Sequence, residues 1–555
     1  MIMDIVTLSR SQAFKRLESL PTPDVLILGG GVNGVATLRD LALNGVSCAL
    51  IDTKDFSAGA SGASSRMAHG GLRYLEGREF RLVAESARER DSLIANASHL
   101  VKPLRIVVPL KYRVRGLLQA MFRFIGLSQT GGPMSLVALD GGLRIYEALG
   151  RGKNPLPRHV TFLRKSRFPT GLDPSTKAVT TYYDGQILHP EGLISEMIAE
   201  AVTVNDGCVA LNHVSWTTQD GQVTVTDTVT GQSTALRPQI IINATGAWID
   251  RVNGTLGINS NHVRLVKGAH LVLDNPALFA RMDGSAYYFD DGTGRMVISL
   301  PVDRNILVGT TERDITDPED RDVSDDEVSY LLQAMDGLFA DISVTRSQVV
   351  AATSGIRPLQ RGGELVTAAS RDHAIKEDVV SGFKYPVLSL VGGKWTTFRA
   401  FSEQTSDRVL ALLGRARKVS TAVRRYPGAG PCDAAELAQA HGLPLEHVTG
   451  LIERYGKLAK SAAAFVASRV DRPLAGAAHY SRAEIAWLIA ARGAVTVEDI
   501  LLRRTRLTFG LGVTQETIED VAQIVEQETE CSRQSIAAEV AGLVGNPLIY
   551  GLQER

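Results

Sequence analysis

The sequence predicts an α/β protein in which a discontinuous, Rossmann-like nucleotide-binding domain is joined to a helical C-terminal domain. Three observations predict it. Residues 24–52 run strand, glycine turn, helix, strand, acid. Two further apolar strands, Gln239–Thr245 and Val387–Val391, also close on glycine. From about Ser420 the chain turns to Ala-, Leu- and Glu-rich stretches with helical spacing.

The first unit sets the chemistry. Asp24–Leu28 is a short apolar run, followed by Gly29-Gly30-Gly31-Val32-Asn33-Gly34, which fits GxGxxG. A helical pattern follows to about Asn44, and a second strand, Val46–Ile51, ends in Asp52. Gly29 permits the tight turn, Gly31 lets the backbone approach a pyrophosphate, and Gly34 lets helix and strand pack closely. Asn33 lies inside the same motif. The helix start offers free N–H groups and a positive dipole end to phosphates. Asp52 is placed to accept from ribose hydroxyls, which favours a dinucleotide without a 2′-phosphate.

The two later turns favour FAD. Thr245-Gly246 follows the strand over 239–245, and Gly392-Gly393 precedes a helix start around Lys394-Trp395-Thr396-Thr397. A glycine pair before a helix can bring N–H groups to the flavin pyrimidine end and stabilise charge there.

The chain is 555 residues long with 60 basic and 60 acidic residues and 44% hydrophobic content. That excludes disorder and a uniformly basic nucleic-acid binder, and allows roughly three or four domain-sized units. Cys48, Cys208, Cys432 and Cys531 form no CxxC pair, so a metal or redox motif of that kind is not expected. No metal site is expected. The N-terminal stretch carries Asp4 and no long apolar core, so it does not read as a signal peptide. No run of 18 apolar residues is present.

After the second strand comes Ser64-Ser65-Arg66-Met67-Ala68-His69-Gly70-Gly71-Leu72-Arg73-Tyr74-Leu75-Glu76. Further on stand Lys267-Gly268-Ala269-His270, Gly309-Thr310-Thr311, Ser354-Gly355-Ile356-Arg357-Pro358-Leu359, Gly392-Gly393-Lys394-Trp395-Thr396-Thr397 and Val497-Glu498-Asp499-Ile500-Leu501-Leu502-Arg503-Arg504-Thr505. With the glycine turn, this ordered set resembles the FAD-dependent glycerol-3-phosphate dehydrogenases from about residue 24 to about 530. The resemblance implies an FAD-binding domain over 20–100, 190–262 and 340–415. It implies a substrate and membrane-facing domain with an antiparallel sheet over 101–189 and 263–339, and a helical C-terminal domain over 425–555. It also implies oxidation of sn-glycerol 3-phosphate to dihydroxyacetone phosphate, with hydride passing to flavin N5 and electrons to a membrane quinone.

Residues that match the family's site motifs are His69, Arg73, Tyr74, His270, Arg357, Arg371 and Lys394, with Ser64, Ser65, Gly70 and Thr396-Thr397 beside the cofactor. The chemistry is consistent with them. A phosphate monoester wants Arg or Lys donors, here Arg73, Arg371 and Lys394 with Tyr74. Alcohol oxidation needs a base, for which His69 and His270 both qualify, and a cation such as Arg357 can stabilise the developing alkoxide. The chain departs from the family at Arg66 (usually Lys), at His373 (often aromatic) and near Pro301-Val302 (often Pro-Trp). These positions are expected near the substrate side, so a related polyol phosphate stays open as substrate. An amine or amino-acid oxidase of the same fold is the more distant alternative.

Charge is unevenly spread. Between Lys102 and Phe168 there are thirteen basic residues against two acids, a local balance of +11. Within it, Lys111–Leu127 mixes cations with large apolar residues, as a segment lying in an anionic membrane interface does. A peripheral position on the inner face of the cell membrane, with no nucleic-acid partner, is therefore expected. Asp314–Glu327 is acidic and reads as a solvated loop ending in a capping box at Ser324. Pro427–Pro431 reads as a linker. The helical region beyond carries no catalytic constellation and is expected to support the catalytic domains or a homodimer contact.

Overall fold

The structure, a computed structural model, describes residues 8–71, 80–113, 136–149, 156–361, 373–510 and 513–550. Short, fully buried strands build its first sheet. Val25–Leu28 lies between Ile240–Asn243 and Cys48–Ile51, all parallel. Cys208–Leu211 extends one side; Val387–Val391 and the antiparallel Ala374–Asp378 extend the other. Uninterrupted apolar strands of this kind suit a sheet covered on both faces.

Alternate residues divide between those faces. Val25, Ile27, Cys48 and Leu50 meet the helices Val32–Leu43, Pro190–Val204 and Phe398–Leu412. Leu26, Leu28, Ala49 and Ile51 meet the helix Arg10–Glu18 and a three-stranded antiparallel sheet over 214–236. Cys48 and Cys208, distant in sequence, stand opposite each other on neighbouring strands as buried free thiols.

Among the described residues the second sheet has ten strands and is antiparallel except where Ala286–Asp290 pairs with Val101–Leu110. Its longest pairing joins Val263–Leu273 to Val349–Gln360. The expected domain boundary at residue 340 therefore does not hold for Val349–Gln360, which is zipped laterally to Val263–Leu273 and belongs to this sheet. Met67–Ala68, from the stretch expected in the FAD-binding domain, also pairs here, with Gly185 and Gln186.

The acidic segment differs from a solvated loop. Its helix, Asp325–Asp336, starts with the expected Ser324–Glu327 capping box. The residues before it are tied down, because the buried Lys267 ammonium bonds Asp320 at 3.1 Å and the Asp322 carbonyl at 2.7 Å. Glu327 accepts from Thr311 Oγ1 at 2.6 Å in the interior.

Among the described residues beyond 433, six helices of eight residues or more pack around one apolar core. The Pro427–Pro431 stretch is no free linker. Tyr426 and Ala429 are buried, Gly428 N–H donates to Glu196 at 2.9 Å, and its carbonyl accepts from Lys457 N–H at 2.8 Å. Glycine is needed because a Cβ at residue 428 would run into the His99 ring. Among the described residues, no helix is long and apolar enough to cross a membrane.

Candidate active site

The parallel sheet brings three separated turns to one edge. The strands ending at Leu28, Asn243 and Val391 are neighbours, so the turns at Gly29, Thr245-Gly246 and Gly392-Gly393 share the carboxyl edge of the sheet, the usual ligand edge of such folds. Gly29 adopts φ +108°, and a Cβ there would lie 2.7 Å from the Ala244 carbonyl oxygen. A Cβ on Gly34 would collide with the Gly29 carbonyl. Gly31 caps the helix Val32–Leu43 without a side chain, and although Val32 N–H donates to Ser61 Oγ at 2.9 Å, the amides that follow it in the first turn are left for a phosphate.

Asp52 closes the far end of this cradle. Its carboxylate accepts from Gly30 N–H at 2.6 Å and Lys54 N–H at 2.9 Å. Burial pushes its pKa up to about 6, against the pull of those two amides. A carboxylate has about four acceptor positions, so capacity for a ribose hydroxyl remains.

At the other end, Gly392 and Gly393 follow one another at φ +79° and +88°, a pairing that only glycine takes without strain. Asn33 Nδ2 donates to the Gly392 carbonyl at 3.0 Å and so joins the first and third turns. Thr245 Oγ1 donates to Asn243 Oδ1 at 2.6 Å, fixing the second. Asn33 Oδ1 and Thr397 Oγ1 are buried without a hydrogen-bond partner in this structure. Buried polar atoms of this kind, beside glycines that admit no Cβ, fit a bound dinucleotide that supplies their partners.

Residues 61–71 run from this edge to the second sheet. Trp395 Nε1 donates to the Ser61 carbonyl at 2.9 Å, and Thr396 Oγ1 to the His69 carbonyl at 3.0 Å. Gly355 faces Ala63, whose carbonyl would meet a Cβ at 2.6 Å. Ser65 Oγ lies 2.7 Å from His270 Nε2. The Ser64 hydroxyl accepts from Arg66 N–H at 3.2 Å. Gly70 N–H donates to Tyr146 OH at 2.9 Å and Asp184 at 3.2 Å, and Arg90 pairs with that carboxylate at 2.9 Å. This buried knot of Arg90, Tyr146 and Asp184 fixes the backbone beside His69. No motif marks it, since its members stand far apart in the sequence.

His270 is wholly buried on the strand Val263–Leu273, opposite Gly309, where any side chain would strike its ring. Burial, helped by the cations of Arg357 and Arg66, pushes its pKa down to about 3, so the imidazole is neutral. Arg357 Nη2 donates to Thr310 Oγ1 at 3.0 Å and Nη1 lies 3.7 Å from Glu312. Lys394 stands in the turn after Gly393, its carbonyl receiving the N–H groups of Thr397 and Phe398. His69 Nδ1 accepts from Gly71 N–H at 3.2 Å. Arg73, Tyr74 and Arg371 lie outside the described residues.

The residues that depart from the family make the following contacts. Arg66 is buried at φ +54° and turns toward Glu191 (3.2 Å), the Leu188 carbonyl (3.1 Å) and the Phe509 ring (4.0 Å), at the contact with the C-terminal domain. The His373 ring lies on Phe401, with centroids 4.3 Å apart. The Pro301 carbonyl accepts from Gln186 at 2.6 Å.

Comparison with known proteins agrees with this geometry. Residues 24–398 match the family described as FAD dependent oxidoreductase, and residues 419–536 match the C-terminal domain of alpha-glycerophosphate oxidase. The glycerol-3-phosphate dehydrogenase 1 of Mycobacterium tuberculosis is 31% identical over 501 residues, covering 87% of this chain and 91% of the relative. The chain belongs to the FAD-dependent glycerol-3-phosphate dehydrogenase family. A Synechocystis glycerol-3-phosphate dehydrogenase is 30% identical over 516 residues, 88% of this chain and 89% of its own length. The crystal structure of the Bacillus halodurans glycerol-3-phosphate dehydrogenase complexed with FAD superposes with a TM-score of 0.72 at 21% identity, over 99% of each chain, and shows the fold to be shared. As a member of this family the chain is an oxidoreductase, and its cofactor is FAD.

Proposed function

We propose that this chain oxidises sn-glycerol 3-phosphate to dihydroxyacetone phosphate and delivers the electrons to a membrane quinone. The observation that carries the reading is the meeting of a neutral buried histidine, His270, and a cation, Arg357, with residues 61–71 at the carboxyl edge of the dinucleotide sheet. The names of the relatives support the substrate.

FAD, when bound, supplies the hydride acceptor. The protein's own residues handle the proton and the phosphate. His270 is neutral, and while Ser65 donates to its Nε2 that nitrogen is unprotonated, so it takes the substrate hydroxyl proton either through the Ser65 hydroxyl as relay or once the substrate displaces that donation. His69 uses Nδ1 to accept from Gly71, so its neutral ring carries the proton on Nε2 and acts as a donor. Arg357 stabilises negative charge on the reacting oxygen. Lys394, with Arg73, Tyr74 and Arg371, binds the phosphate, whose charge of nearly two suits those donors.

Access to quinone fits the surface. Val137, Ile145, Val160 and Leu163 are exposed among the exposed cations Arg144, Arg158, Arg164, Lys165 and Arg167. Apolar side chains set among cations suit the interface of an anionic leaflet. The test is turnover of purified protein on anionic vesicles with a quinone analogue. Dihydroxyacetone phosphate equal in amount to quinol is expected. Turnover of another polyol phosphate with none of this substrate would contradict the reading.

A further inference from the structure

A buried carboxylate next to the dinucleotide cradle is gripped from the C-terminal domain. Asp55 is wholly buried, three residues beyond Asp52. Its Oδ2 accepts from Arg503 Nε at 2.5 Å and Arg504 Nη1 at 2.8 Å, and its Oδ1 accepts from Arg504 Nη2 and Asn212 Nδ2, both at 2.7 Å. Both guanidinium groups are anchored in their own domain. Arg503 Nη2 donates to Asp499 at 2.9 Å, and Arg504 Nε to the Arg492 carbonyl at 2.9 Å. Asp499 in turn bonds His213 of the first domain at 2.9 Å. Asp55, His213 and Asp499 gather ligand atoms within 4.8 Å of one another, and the two guanidinium groups supply the positive charge there. A one-turn π-helix, Ile500–Arg504, ends on both arginines.

What Asp55 holds is the wrap around Gly30. Gly30 N–H donates to Asp52, Ser57 N–H donates to the Gly30 carbonyl at 3.0 Å, and the Phe56 ring lies so close that a Cβ on Gly30 would be 2.5 Å from it. Residues 52–57 therefore enclose the second glycine of the motif, and Asp55 is the one point in that wrap gripped from another domain by two cations.

We propose that Arg503 and Arg504 act through Asp55 as positioning residues for FAD, holding the wrap over Gly30 in its binding shape. A buried ion pair need not add stability, but it fixes geometry, which is what a phosphate cradle requires. The proposal rests on FAD as cofactor and is independent of the substrate.

The test is titration of the full-length apoprotein with FAD, read by flavin fluorescence, beside its melting by circular dichroism. Arg504→Lys and Asp55→Asn should each raise the FAD Kd about tenfold, and the double variant should be little worse than either, as for residues sharing one interaction. The control is Arg454→Lys, which weakens the buried Arg454–Glu484 pair (2.7 Å) inside the C-terminal domain. It should lower Tm and leave the FAD Kd within about twofold. Should Asp55→Asn not fold, Arg503→Lys carries the test, with a rise of about threefold. An unchanged Kd in the Asp55 and Arg504 variants, or an equal rise in Arg454→Lys, would overturn the proposal.

Discussion

Asp52 combines two demands in one carboxylate. It must accept from Gly30 and Lys54 amides to shape the turn, and it must remain ionised to receive ribose hydroxyls. Burial sets its pKa at about 6, above the usual carboxylate range. In the apoprotein this group therefore adds stability that is full below pH 4 and is lost as pH rises through about 6. FAD binding has the opposite sign, because it favours the ionised form. The FAD Kd should rise as pH falls below about 6, and Asp52→Asn should flatten that dependence. His270 yields a second expectation. Its pKa near 3 keeps the free imidazole neutral across the working range. His270→Asn should lower kcat by about 10²–10⁴ while the visible flavin spectrum is retained. A wild-type kcat in that variant would place the proton acceptor elsewhere. Both residues were legible as candidates, Asp52 from its place after the second strand and His270 from the family motif. The choice between His270 and His69 was not legible, because it depends on the Gly71 and Ser65 contacts that only the folded chain makes.

At the scale of elements, the glycine turns work by exclusion. Gly29, Gly34 and Gly393 sit where neighbouring backbone or the Asn33 side chain leaves no room for a Cβ, so substitution there should act on the cofactor before it acts on the fold. Gly34→Ala forces the helix Val32–Leu43 away from the Gly29 carbonyl. Its purified protein is expected to be colourless or to lose FAD on gel filtration, and full yellow colour would count against the tight helix–strand contact. Strand and helix positions followed from apolar runs and spacing. Val387–Val391 has the predicted bounds, and the helix Val32–Leu43 ends one residue before the expected Asn44. Lateral pairing did not follow. An apolar run such as Val349–Gln360 serves either sheet equally well, and only its match with Val263–Leu273 decides. The Pro427–Pro431 stretch misleads for a related reason: glycine signals flexibility in a sequence, whereas Gly428 is there to let His99 approach.

At the scale of the whole molecule, net neutrality conceals a division of labour. One surface is basic and partly apolar, which the membrane proposal uses, and the arginines Arg66, Arg503 and Arg504 are buried where domains meet. On anionic vesicles the wild-type chain should float, and Arg113→Glu with Arg115→Glu should abolish flotation; equal behaviour of the two would remove the membrane proposal. The central claim is that FAD, His270 and Arg357 form one site for a polyol phosphate. The most direct measurement is anaerobic addition of sn-glycerol 3-phosphate to the purified yellow protein. Bleaching of the flavin band, with one dihydroxyacetone phosphate formed per flavin reduced, is the predicted result. A band unchanged by this substrate, yet bleached by an unphosphorylated amino acid, would contradict the account.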